Sequence, residues 1–299
     1  MLRLGIVDFD TSHSIEFTRR FNHVGIDRDQ WVEGARVVMG WPGSSLMSPE
    51  RIAGHAEQIA ACGVQLVDDP ADMIGRIDAL LIHSVCGAAH RERMEKFVTA
   101  GIPIFIDKPF ACSAADAHAM IGQAQAAGIP LMSSSALRFS ENVLQFKHKN
   151  YGGIHGVISY GPAHRAEGNP GLLHYGIHAV EVLYALMGPG CEMLSAMHEP
   201  AADAVTARWG DGRFAHVRGI RAGARSYGLL IHCEAGMIPV PISARFAYRN
   251  LCREIVKFFE TKTPAVPMDV TLELIAFCLS ALKSEQNHGA WVDVGETMK

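Results

Sequence analysis

The stretch LGIVDFDTSHSIEF, residues 4–17, decides how the rest of the chain is read. Leu4, Ile6 and Val7 form an apolar run of the kind found in a strand buried on both faces. Thr11 and Ser12 then offer caps for a helix that begins at once. A strand running directly into a helix at the start of a chain is the opening of a dinucleotide-binding βαβ unit. In that unit three glycines normally occupy the turn. Aligned on Gly5, the three positions are Asp8, Asp10 and His13.

Outward from this loop, apolar runs alternate with amphipathic stretches. ARVVMGW (35–41), VQLVDD (64–69), ALLIHSV (79–85), IPIFIDKP (102–109) and IPLMSSS (129–135) read as further strands. Ser48-Pro49-Glu50, Asp69-Pro70 and Ser113-Ala114-Ala115-Asp116 mark helix starts between them. Gly63, Gly101 and Gly128 mark helix ends. Short connections between alternating elements imply right-handed parallel crossovers and a doubly wound sheet.

After residue 138 the pattern changes. IHGVISYG (154–161) reads as a strand and GLLHYGIHAVEVLYALMG (171–188) as a helix stopped by glycine. RWGDGRF carries a hairpin signal at Asp211-Gly212. Helical periodicity returns in SARFAYRNLCREIVKFFE and TLELIAFCLSALKSE. The expected architecture is a Rossmann-like parallel sheet over residues 1–138. An α+β domain with a largely antiparallel open sheet follows over 139–299. That sheet has few obvious covering helices and is expected to bury its open face in a homo-oligomer.

Composition narrows the function. The 299 residues are 48% hydrophobic and 19% charged, with a formal net charge of −4. Such a balance gives no reason to expect nucleic acid or an anionic membrane as partner. Seven dispersed cysteines without a CxxC pair suit a reducing compartment. With no leader pattern and no membrane-length apolar run, the expected location is the cytoplasm.

The Rossmann-like half, the DKP ending its fifth strand and the GIH on a later helix together resemble the Gfo/Idh/MocA family of glucose-fructose oxidoreductases and inositol dehydrogenases. The resemblance spans nearly the whole chain. It implies NAD or NADP in the first domain and a sugar or polyol substrate at the domain junction. Members typically carry EKP where Asp107-Lys108-Pro109 stands, which implies a catalytic Lys108. The family's DxGxHxxD falls on His174, Gly176, His178 and Glu181, implying His178 as a proton carrier with His174 beside it. Residues four apart lie on one helical face, so His174 and His178 are expected to point into one pocket together. A looser likeness is to members that open with a DTSH loop and carry SSSALRF, here residues 133–139. It implies that Asp10, Thr11, Ser12, His13, Ser133, Ser134, Ser135 and Arg138 line one crevice.

The opening loop departs from the family pattern. A carboxylate about 5 Å from a phosphate costs on the order of 3 kcal/mol at an effective dielectric near 20. The second strand ends in VVMGWPGSS, without the acid that usually binds ribose and with no arginine beside Ser44 and Ser45 in sequence. Three uses of the loop compete. A displaced dinucleotide would be held by Asp8, Asp10, Thr11, Ser12 and His13, with Ser84 and Lys108. A polar site on Asp8, Asp10 and His13 would serve sugar hydroxyls or a metal. Alternatively the aspartates cap their own loop. No metal is assigned. Arg138, Ser134, His90 and Glu181 are the candidate substrate contacts. His83 is read as a crevice residue or as a core-edge histidine held by a carbonyl. Arg138 is read as a partner for a substrate carboxylate, or for Asp107 or Glu141.

The leading reading is therefore an NAD(P)-dependent oxidoreductase of a sugar, polyol or sugar acid. Two others stand beside it: a lyase, hydrolase or epimerase of sugar derivatives without ordinary dinucleotide binding, and a non-catalytic sugar sensor.

Overall fold

In the computed structural model, which describes residues 1–298, the chain folds into two compact units. The first comprises residues 1–111, 115–134 and 248–268, the second 112–114, 135–247 and the described residues from 269 onward. The sequence pattern suggests a single division at 138/139, with everything later in a second domain. Tyr248–Met268 instead packs with the first unit.

The first unit holds a six-stranded parallel sheet of order β3-β2-β1-β4-β5-β6. Its strands are β1 (Leu2–Val7), β2 (Ala35–Trp41), β3 (Gln65–Leu66), β4 (Ala79–Ile82), β5 (Ile104–Ile106) and β6 (Leu131–Ser133). The central strands are apolar along their whole length because both faces are covered. Every residue of β4 and β5 is buried. Helices α1 (Ser12–Asn22), α2 (Pro49–Ala61), α3 (His90–Glu95) and α4 (Ala114–Ala127) make the crossovers. The order reverses between β1 and β4, and at such a switch point the carboxyl strand ends open a crevice.

Local signals mostly act as their chemistry suggests. Thr11 caps α1, its Oγ1 accepting from His13 N–H at 3.4 Å. Asp69 accepts from Ala71 N–H at 2.8 Å. It opens only a 3-10 turn, because the following chain must turn back into β4. Ser48 makes no capping bond; Ser45 Oγ accepts from Met47 and Ser48 N–H instead.

The second unit is a seven-stranded sheet of order β12-β11-β7-β10-β9-β8-β13. It is built from β7 (Ile154–Pro162), β8 (Cys191–Glu199), β9 (Ala202–Trp209), β10 (Phe214–Ile220), β11 (Gly228–Cys233), β12 (Gly236–Pro241) and β13 (Val292–Asp293). Among the described residues of this sheet, β7 and β10 pair in parallel and the other neighbours are antiparallel. The turn at Asp211-Gly212 joins β9 to β10, with Gly212 at φ +89°. Val157, Ser159, Val205, Ala207, Ala215, Val217, Leu229 and Ile231 are all buried, on the face that takes α6 (Ile177–Met187). α5 (Glu141–His148) and α8 (Met268–Gln286) complete the larger helices of this unit, and α9 (Val294–Thr297) follows β13. The fold class expected from the sequence is thus the one observed. α7 (Ala247–Thr261) belongs almost wholly to the first unit.

One buried charge cluster ties the end of β9 to its neighbours. Asp203 is 3% exposed and meets Arg165 at 2.7 Å, Arg221 at 2.5 Å and His198 at 2.8 Å. Burial pushes its carboxyl up, but the hydrogen bonds from Arg221 and His198 and the charge of Arg165 outweigh that and hold it below its ordinary range. Removing the carboxylate leaves two guanidinium groups without their shared anion. Asp203→Ala is expected to cost about 3–5 kcal/mol of unfolding free energy, measured by urea denaturation at pH 7.

Candidate functional site

The β1–α1 loop keeps the backbone of a glycine turn while changing its side chains. Asp8 adopts φ +65°, the left-handed conformation a glycine takes most readily. Its N–H and that of Phe9 donate to the Trp41 and Pro42 carbonyls, carrying the β1–β2 pairing into the loop. The Asp8 side chain turns inward and is fully buried. Arg93 Nε donates to both of its oxygens, at 3.0 and 3.2 Å, and the Ser84 hydroxyl donates to Oδ2. Gly43, at φ +70°, closes the pocket: a Cβ there would lie 1.7 Å from Asp8 Oδ1. Asp10 is also buried and accepts from Val85 N–H at 3.0 Å.

Neither aspartate therefore confronts the helix terminus as a bare charge. The repulsion expected from sequence is removed by an ion pair for Asp8 and a backbone amide for Asp10. Ser12 stays exposed in the first turn of α1. A helix N-terminus with its acids turned away is compatible with an anion. The expectation that no arginine stands by Ser44 is corrected as well. Arg93 Nη2 donates to Ser44 Oγ at 3.2 Å and to its carbonyl at 3.3 Å, with the guanidinium 5.0 Å above the Trp41 ring. Arg93 comes from α3, 49 residues away, so adjacency in sequence gives no sign of it.

His13, at the third glycine position, points elsewhere. Its Nδ1 lies 2.5 Å from Asp107 Oδ2, at the carboxyl end of β5. The ring stacks on Phe17 and meets the edge of Tyr248. Burial raises the Asp107 carboxyl. The charge and hydrogen bond of His13, with His83 and the Lys108 ammonium, outweigh it and hold it well below the usual range. Lys108 is 8% exposed, its N–H donates to Asp107 Oδ1 at 2.8 Å, and the peptide to Pro109 is cis.

The two crevice histidines differ. His90 is fully buried, with Nε2 at 2.9 Å from the Ser84 carbonyl and Nδ1 at 3.1 Å from that of Phe110. Burial pushes its pKa down and the two carbonyls pull it back. With both nitrogens on main chain, it braces loops and offers a substrate nothing. His83 is 0% exposed and neither ring nitrogen has a hydrogen-bond partner, so no carbonyl holds it.

In the second unit, His178 Nδ1 lies 2.6 Å from Ser135 Oγ. Glu181 accepts from Ser135 N–H at 3.1 Å and pairs with Arg138 at 2.9 Å. Arg138 thus meets neither of the carboxylates expected for it, Asp107 or Glu141, but Glu181 across the loop from 135 to 138. The shared helical face of His174 and His178 is also corrected. α6 begins at Ile177, and His174 lies in the turn before it. Tyr175 lies near both rings, at 5.3 and 5.6 Å. Asn169 Nδ2 donates to His174 Nδ1 at 3.2 Å. Ser133 and Ser134 are buried at the end of β6, in the first unit.

A doubly wound parallel sheet with a lysine at the tip of β5, followed by an open mixed sheet, defines the fold class. Residues 48–134 match the family model GFO_IDH_MocA, described as an oxidoreductase family with an NAD-binding Rossmann fold. Apart from residues 112–114, that match lies within the first unit, and it takes in the Asp107-Lys108-Pro109 motif. No curated protein matches it. Among solved structures it resembles scyllo-inositol dehydrogenase from Lactobacillus casei with bound NAD(H) and scyllo-inositol. The TM-score is 0.78 at 18% identity, covering 99% of each chain. It also resembles an oxidoreductase from Agrobacterium radiobacter in complex with NAD+, L-tartaric acid and magnesium. There the TM-score is 0.76 at 16% identity, again over 99% of each chain.

The buried Asp8 titrates late. Burial pushes its carboxyl up to about 6, against the pull of Ser84 and Arg93. A raised carboxyl binds its proton more tightly in the folded state, so its contribution to stability falls as pH rises from about 4 to about 6. Relative to Asp8→Asn, the wild type should lose on the order of 3 kcal/mol across that window. Parallel urea unfolding of both proteins at pH 4 and pH 7 checks this.

Proposed function

We propose that this protein transfers hydride between NAD(P) and a secondary alcohol of a polyol, sugar or sugar acid. The observation that carries the proposal is the placement of Lys108. It is a nearly buried ammonium at the carboxyl end of β5, in a sheet whose switch point adjoins a neutralised β1–α1 loop. Ligands of doubly wound sheets bind beyond such strand ends. The relatives bound to NAD, and to scyllo-inositol or tartaric acid, support the same class of chemistry.

The residues fit a dinucleotide in a particular way. Ser12 and the start of α1 would face the pyrophosphate. At the end of β2 the Ser44 hydroxyl and the Arg93 guanidinium replace the usual carboxylate. That pair suits a 2′-phosphate, so NADPH is expected to bind more tightly than NADH. When bound, the cofactor supplies the hydride acceptor or donor.

The chain's own groups handle the proton and the developing charge. Lys108 donates to the reacting oxygen and stabilises negative charge there. His178 takes the hydroxyl proton at Nε2. That role requires the tautomer in which Nδ1–H donates to Ser135 Oγ. The Ser135 oxygen has two lone pairs and also accepts from Leu137 N–H at 3.3 Å. Glu181 and Arg138 position the Ser135 loop, and Asn169 orients His174.

We further propose a cytoplasmic homo-oligomer. Its seven free cysteines suit a reducing compartment. The outer face of the second sheet exposes Ile158, Phe214 and Met237, an apolar surface suited to a second copy. Among the described residues no helix is long and apolar enough to cross a membrane.

Lys108→Met is expected to lower kcat/KM for an inositol by about 100-fold or more while NADPH affinity changes little. His178→Asn should lower turnover by a similar factor and abolish the acidic limb of the pH profile for alcohol oxidation. Steady-state kinetics with NADPH fluorescence titration checks both, and absence of any dinucleotide binding overturns the proposal. Phe214→Glu should shift the mass seen by light scattering towards the monomer, with the melting temperature of each protomer retained.

A further inference from the structure

We propose a divalent transition-metal site on His13, His83 and Asp107, three residues that belong to the first unit. One ligand atom from each of the three lies within 4.8 Å of the other two, and Asp107 Oδ2 is 2.5 Å from His13 Nδ1 and 3.6 Å from His83 Nδ1. They come from the first turn of α1 and from the carboxyl ends of β4 and β5, so the sheet itself sets their spacing.

The second observation is independent of the clustering. His83 is 0% exposed and neither ring nitrogen is hydrogen-bonded. A buried imidazole without a partner is costly, and such orphans in native proteins call for an explanation, an ion among them. His83 cannot turn to solvent: Phe17 packs edge-on against its ring at 4.8 Å and Phe105 lies at 6.3 Å. Its Nδ1 is held 3.6 Å from Asp107 Oδ2, too far for a hydrogen bond.

The spacing suits a first-row ion. Ligand atoms about 2.0–2.1 Å from a tetrahedral metal lie about 3.3 Å apart. The His83–Asp107 separation is close to that. The His13–Asp107 separation of 2.5 Å is that of a shared proton. Metal entry therefore opens this contact by about 0.8 Å and takes the place of the proton between the two groups. That proton moves to the far side of the imidazole or to solvent.

Two imidazoles and one carboxylate select a borderline ion, zinc foremost, over magnesium or calcium. Three protein ligands leave a coordination position for water or a substrate oxygen. Asp8 takes no part because Arg93 and Ser84 hold it, and Asp10 takes none because it caps Val85. The cluster His198, Asp203 and Glu285 has similar spacing, but Arg165 and Arg221 already occupy it.

The test uses the full-length protein without cofactor or substrate. After dialysis against chelator, zinc chloride is titrated by calorimetry, bound metal is counted by mass spectrometry, and cobalt(II) is added for its visible absorption. The expected result is one ion per chain with tetrahedral-intensity cobalt bands. His83→Phe, which suits the aromatic surroundings, should lower zinc affinity at least 100-fold while keeping the melting temperature of the metal-free protein. Asp107→Asn should weaken zinc binding similarly, so the test survives if one variant fails to fold. Absence of a stoichiometric ion, or zinc binding unchanged in both variants, overturns the proposal. Neither readout depends on the dinucleotide or on turnover.

Discussion

The Asp8–Arg93 ion pair is the constraint on which the site in the first unit depends. It holds the left-handed turn after β1, fixes the β2 loop through Ser44, and fills the space against Gly43. A buried pair of this kind contributes little net stability compared with apolar packing, but losing one partner is severe. Its importance is positional. It lets an acid stand where a glycine would, and it removes the charge that would oppose an anion at the start of α1.

From that pair the other assignments follow in order. With Asp8 and Asp10 turned inward, His13 is the member of the DTSH loop that meets Asp107 at the β5 tip. Asp107 is then shared between a histidine of the loop and the backbone of Lys108. The DKP motif thus does two things at once. Its lysine is the proposed hydrogen-bond donor to the reacting oxygen, and its aspartate organises the histidines behind it. In the second unit a parallel economy links Glu181, Ser135 and His178, so that one acid and one hydroxyl orient the proposed proton carrier.

Much of the fold is legible in the sequence because it rests on periodicity. Continuous apolar runs at 4–7, 79–82 and 104–106 can only be strands covered on both faces, and Asp211-Gly212 fixes its hairpin locally. Long-range side-chain pairings carry no comparable local signal. Arg93 meets Asp8 across 85 residues and Arg138 meets Glu181 across 43, and no spacing rule connects them. The start of α6 escapes the sequence for a local reason. The GLLHYGIH stretch has helical periodicity throughout, yet the chain makes a 3-10 turn at Gly171–Leu173 before the helix begins at Ile177. In the sequence His83 looks like any histidine at a strand end; its lack of a partner exists only in three dimensions.

The return of Tyr248–Met268 to the first unit has a practical consequence. Tyr248 packs its ring edge against His13 and Phe17 and lies beneath the Arg20 guanidinium, while Arg249 donates to the Asp29 carbonyl. No single cut in the gene yields the nucleotide-fold unit. A fragment ending near residue 138 would expose this aromatic seam to water and leave Arg20 without its ring, inviting aggregation. An isolated version would need the later segment spliced back on, as a circularly permuted or two-piece chain.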